Sequence, residues 1–131
     1  MDTNSHESED IVIHRDLVFR IVGCAFEVVR ELGHGLHEKP YENALVLAFS
    51  DAGLSTLQQP RYPILFKDRM VGEYVPDLIV DDAVIVDTKV VDHITDHERG
   101  QMLNYLKITG LRVGLIINFK RSKLEWQRVV L

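Results

Sequence analysis

Two charged clusters set inside apolar, strand-like sequence constrain this chain more than any other feature. Pro76-Asp77 and Asp87-Thr88-Lys89 carry their acids ten residues apart, within the apolar stretches 72–80 and 83–91. Burying an ion is costly unless it finds a partner or a metal. Two carboxylates and an ammonium in adjacent strands therefore suggest a divalent-metal site. Side chains two apart on a strand share a face, so Asp87 and Lys89 point together. If the two strands pair through a turn at Asp81-Asp82, Asp77 falls beside Asp87. The carboxylates and the Thr88 carbonyl then offer hard oxygen donors, which suit Mg²⁺ with water and a phosphate filling its remaining positions. Lys89 is placed to orient an attacking water or to balance charge on the phosphate. The plain alternative is an Asp–Lys ion pair at a strand end.

The rest of the chain supplies a frame for these strands. Residues 1–10 are polar and acidic and read as a mobile tail. Val18, Ile21, Val22, Ala25, Val29 and Leu32 recur at three- and four-residue steps, predicting an amphipathic helix from about Ile11 to Leu32, with Cys24 as a small buried hydrophobe. Gly33-His34-Gly35 breaks it, and a second helix is expected from about Glu38 to Ala52, with Pro40 in its first turn and Gly53 closing it. Residues 54–59, 62–66, 72–80 and 83–91 read as strands, the last of them apolar on both faces and so central to a sheet. Thr95-Asp96-His97-Glu98 is a capping box opening a helix that ends at Gly110, packed through Met102, Leu103 and Leu106. Residues 112–119 and 124–131 complete the strands. This order predicts one α/β domain, residues 11–131, around a mixed sheet flanked by helices.

Charge is unevenly spread. Residues 1–97 carry 8 Lys/Arg against 18 Asp/Glu, whereas residues 98–131 carry 7 against 2. A basic C-terminal third beside an acidic centre suits a phosphodiester substrate, although an uneven solvated surface explains the same numbers. A single cysteine excludes an internal disulfide and a multi-cysteine zinc site, and the histidines at 34, 37, 93 and 97 have no thiolates to join them. There is no P-loop, dinucleotide fingerprint or Gly-x-Ser-x-Gly elbow. The expected protein is cytoplasmic, without a signal peptide or a membrane span.

The Pro-Asp and Asp-x-Lys clusters follow the pattern of the PD-(D/E)xK nuclease superfamily. Gly35-Leu36-His37-Glu38-Lys39-Pro40-Tyr41 fits Gly-x-x-Glu-x-x-Tyr and resembles the signature of the bacterial GxxExxY family, a branch of that superfamily. Gln101-Met102-Leu103-Asn104-Tyr105 and Gly114-Leu115-Ile116-Ile117-Asn118-Phe119 fall in the expected order after it. The resemblance implies a restriction-endonuclease-like core with an extra N-terminal helix. It implies Mg²⁺ (Mn²⁺ substituting) held by Asp77, Asp87 and Glu38, with Lys89 catalytic and Gln101, Tyr105 and Tyr41 in support. Tyr41 reads equally well as a packing residue, and Glu42 is a weaker candidate for the role of Glu38. Nucleic acid is the implied substrate, DNA ahead of RNA, and a homodimer is compatible with the pattern. The family more often has glutamate where this chain has Asp87, one methylene shorter. The competing expectation is a non-catalytic binding or assembly module that keeps the nuclease fold.

Overall fold

The computed structural model describes the backbone of residues 3–131 and the side chains from residue 14 onward. Ten elements follow in order: α1 (Thr3–Leu32), α2 (Glu38–Asp51), β1 (Thr56–Gln58), β2 (Tyr62–Phe66), β3 (Arg69–Tyr74), β4 (Leu78–Val80), β5 (Val84–Lys89), α3 (Asp96–Thr109), β6 (Val113–Asn118) and β7 (Glu125–Val130). Five strands form one sheet in the order β1-β4-β5-β6-β7, and β2 and β3 form a separate hairpin. All neighbours in the large sheet are antiparallel except β5 and β6, which run parallel. A parallel pair requires a crossover, and α3 provides it.

Strand alternation sorts the core into two layers. Leu78, Val80, Val84 and Val86 face α1 and α2, together with Leu115, Ile117 and Phe119 of the β6 segment. Ile79, Ile85 and Ile116 face the other way and pack with Met102 and Leu106 of α3 and with Tyr74 at the end of β3. The expected central strands are buried along β6 and nearly so along β5. Gly114 lets α3 come close, since a Cβ there would stand 2.3 Å from Met102 Sδ.

Two boundaries differ from expectation. α1 starts at Thr3 rather than near Ile11, so the segment expected as a mobile tail is helical backbone from Thr3 on, while Met1 and Asp2 lie outside the described residues. No Pro or Gly occurs before Gly23 to interrupt it, and a helix once nucleated propagates readily. The single strand expected over 72–80 is two strands in two sheets. Pro76 has no N–H to give a ladder, so pairing stops there and the chain crosses from β3 to β4. The α3 boundaries match the sequence reading. Thr95 caps the helix, with Glu98 Oε1 accepting from the Thr95 backbone N–H at 2.7 Å, and Gly110 closes it in the left-handed conformation. Among the described residues no helix is long and apolar enough to cross a membrane.

Candidate functional site

The geometry of the site begins at the three-residue loop Asp81-Asp82-Ala83, which joins Val80 to its register partner Val84. Asp81 and Asp82 both have positive φ (53° and 52°), the conformation that closes a tight hairpin with the twist of its strands. The Asp81 carboxylate accepts from the Ser55 N–H at 2.8 Å, which holds the turn. This turn sets the register Leu78↔Val86. One step further along the same register sets Asp77 opposite Asp87.

Asp77 is held on both its main and side chains. Its carbonyl accepts from the Gln59 N–H at 2.9 Å, and its Oδ2 accepts from the backbone N–H and the hydroxyl of Thr88, each at 2.9 Å. Beyond this point β5 has lost β4 as a neighbour, so the carboxylate takes the donor that the ladder no longer uses. On its other side β5 still pairs with β6, where the Phe119 N–H reaches the Lys89 carbonyl at 2.9 Å. The N–H and C=O of a strand residue point the same way, so the Thr88 carbonyl faces the open, Asp77 side of β5.

Asp87 sits between a like and an unlike charge. It lies opposite Asp77 by the β4–β5 register, and its Oδ2 is 3.3 Å from Lys89 Nζ. Burial pushes its carboxyl up to about 7; the Asp77 charge adds to this and Lys89 opposes it. Burial works against the charge on Lys89, yet Asp87, Glu38 and Tyr105 together raise its ammonium above the ordinary lysine range. The Asp87 and Lys89 side chains are 16% and 22% exposed, so a small molecule or a strand of polymer can reach them.

α3 covers this corner. Tyr105 stacks on Tyr74, with ring centroids 4.0 Å apart and planes 9° from parallel. Burial raises both phenols, and the Asp87 charge raises them further. They stay protonated donors beside the carboxylates at neutral pH. Gln101 lies one turn before Tyr105 on α3 and is half-buried.

The remaining expected residues fall in different places. Glu38 opens α2, and its charge reaches Lys89 rather than the aspartate pair. Among the described residues no three His, Cys, Asp or Glu side chains converge closely enough to hold an ion, so Glu38 stands apart from Asp77 and Asp87. Glu42, one turn on, is buried and committed elsewhere: its Oε2 accepts from Lys39 at 3.0 Å, Gln58 at 2.6 Å and Gln59 at 3.3 Å. Tyr41 is fully buried and stacks on Phe119 at 4.3 Å. Its hydroxyl donates to the Gly33 carbonyl and accepts from the Leu36 N–H, so it pins the loop that delivers Glu38.

Two partners escaped the sequence reading. Tyr74 gave no motif signal, because its place beside Asp87 depends on the break at Pro76 and on stacking against another element. The Thr88 hydroxyl could have been suspected from its position between Asp87 and Lys89, but its partner could not.

The chain belongs to the PD-(D/E)XK nuclease superfamily: that family's model matches residues 15–129, which include every strand except the last residue of β7. The solved structure of SSO0001 is similar, with a TM-score of 0.53 at 11% identity over 68% of this chain and 47% of that one. This chain thus spans about half the length of that protein, and the likeness concerns the fold alone. No curated protein matches the sequence. Nucleases of this superfamily generally use divalent metals, and the donors here fit such an ion. Two carboxylates on facing strands, one of them held back from ionising chiefly by burial, and an outward-facing carbonyl form a hard oxygen set.

Proposed function

We propose that this chain is a metal-dependent phosphodiesterase of the GxxExxY branch, acting on nucleic acid in the cytoplasm, with DNA preferred to RNA. The placement of Asp77 opposite Asp87, beside Lys89 in a partly exposed corner, carries this reading. A divalent ion, Mg²⁺ or Mn²⁺, would be held by Asp77, Asp87 and the Thr88 carbonyl, while Glu38 acts on Lys89 from outside the ligand set. When bound, it lowers the pKa of a water and neutralises charge building on phosphorus.

The chain's own residues do the rest. Thr88 fixes Asp77 through two hydrogen bonds to its Oδ2, leaving Oδ1 free of that pair. Lys89, kept protonated by its acidic neighbours, orients the nucleophile and meets the negative charge of the phosphate. Tyr105 and the buried Tyr74 keep their hydroxyls protonated near Asp87, and Gln101 lies one turn before Tyr105 on α3. Cleavage of an oligonucleotide with Mg²⁺ or Mn²⁺, lost in EDTA and in Lys89→Met, is the expected result. A wild-type chain that binds the ion without cleaving DNA or RNA overturns it.

One observation favours a second reading, a binding or assembly module that keeps the fold. No third ligating side chain stands with the aspartate pair among the described residues. That module would bind nucleic acid equally well with and without divalent ions.

A further inference from the structure

The face of α1 turned away from the core is self-complementary. We propose that two copies of this chain associate through α1, antiparallel and crossing at Gly23, about a two-fold axis. This surface is independent of the chemistry proposed above.

α1 buries Val18, Ile21, Val22, Cys24, Ala25 and Val28 against α2 and the sheet. On its opposite side Phe19 is 68% exposed and Phe26 47% exposed. With Gly23 and Trp126 they line an apolar groove of about 410 Å³ between α1 and β7. Two exposed phenylalanines one helical turn either side of a glycine form an unpartnered stripe of the kind that marks an interaction site.

Gly23 itself points to a helix crossing. Glycine inside a helix is destabilising relative to alanine. A Cβ at this position would meet no atom within 4 Å, so no contact within the chain calls for its absence. At a crossing between helices, a missing side chain lets the two axes approach closely.

The charges name the partner. Asp16 lies seven residues before Gly23 and Arg30 seven after; Arg20 lies three before and Glu27 four after. At about 100° per residue, all four lie within about 60° of Gly23 around the helix, on its exposed face. Two such helices laid antiparallel about a two-fold axis at Gly23 bring Phe19 against Phe26 of the second copy. They bring Arg20 against Glu27 of the second copy, and Asp16 against Arg30. Each contact occurs twice, as an isologous interface requires. Arg20 also donates to the Ala52 carbonyl, which leaves further guanidinium donors for the second copy. Opposite charges at matched distances either side of one glycine suit a second α1; an unrelated partner would not need that symmetry.

Sedimentation of the whole chain tests this. The wild type is expected at twice the mass of one chain. Asp16→Arg and Arg30→Asp each place like charges at both ends of the crossing and should sediment as monomers. Mixed in equal amounts they should dimerise again, because every arginine then faces an aspartate. Both residues are exposed, and circular dichroism melts confirm that each variant is folded. Should either variant be unfolded, Arg20→Glu and Glu27→Arg provide the same mixing test. A wild-type monomer across the soluble concentration range, a dimer that survives both single variants, or two monomeric variants that stay monomeric when mixed each overturns the proposal.

Discussion

Asp87 is the residue whose environment says most about the site. Burial pushes its carboxyl up to about 7 in the folded chain from an ordinary 3.8. Between those values the folded state holds a proton that the unfolded state has lost. Stability of the metal-free protein should therefore fall as pH rises from about 4 to about 7, then level off. Denaturant melts in EDTA across that window measure the slope, and Asp87→Asn should flatten it; equal slopes in both proteins would clear Asp87 of responsibility. Asp77→Asn keeps an oxygen for the Thr88 donors but deletes a charge that opposes Asp87. In EDTA above neutral pH we expect this variant to be more stable than the wild type by about 1 kcal/mol, with the order reversed in Mg²⁺. Destabilisation by the same amount in both buffers would assign Asp77 to structure alone. Lys89→Met should keep the fold and the ion while slowing turnover on the order of a hundredfold or more, as removal of a charge-stabilising donor does. Wild-type turnover in that variant would leave the Asp87–Lys89 contact as a structural ion pair.

At the scale of elements, α3 links packing to the site. It approaches the sheet over Gly114 and carries Tyr105 to its stack on Tyr74. Gly114→Ala would push a methyl into Met102 in a fully buried layer, and overpacking of this kind costs about 1–3 kcal/mol. Because the displaced helix also carries Tyr105, activity per folded molecule should fall as well. A destabilised variant with full specific activity would show that the tyrosine stack does not serve the reaction. The loop before α2 offers a parallel case. Tyr41 holds it through Gly33 and Leu36, and His34 and Gly35 dock on Lys120 and Phe119, so Glu38 reaches the Lys89 corner only through contacts far away in sequence.

For the whole molecule, the decisive measurement is divalent-ion linkage. An ion that binds only the folded state stabilises it by about 2.7 kcal/mol at a hundredfold excess over Kd. Mg²⁺ or Mn²⁺ should raise the melting temperature where Na⁺ at matched ionic strength does not, and Asp77→Asn should lose most of that rise. No divalent-specific shift would count against an ion held between the aspartates. The basic C-terminal third includes Lys120, Arg121 and Lys123, which lie between β6 and β7 just past Asn118, the register partner of Lys89. The charge asymmetry read in the sequence thus comes to the end of the sheet where Lys89 stands.

What the sequence determined by itself was local. The Thr95 capping box and Gly110 bound α3, and Asp81-Asp82 marks where β4 folds back on β5, whereas the register that faces Asp77 with Asp87 needs Ala83 in the loop as well. Helix caps and tight turns depend on residues a few positions apart, so they are legible one segment at a time. Only the tertiary structure decided that the chain changes sheets at Pro76, that Tyr74 stacks on Tyr105, and that Glu42 is buried among glutamines while Glu38 reaches toward Lys89. Each of these depends on which distant element becomes a neighbour. That choice is made by burying the apolar faces of all the elements at once, and no single stretch of sequence records it.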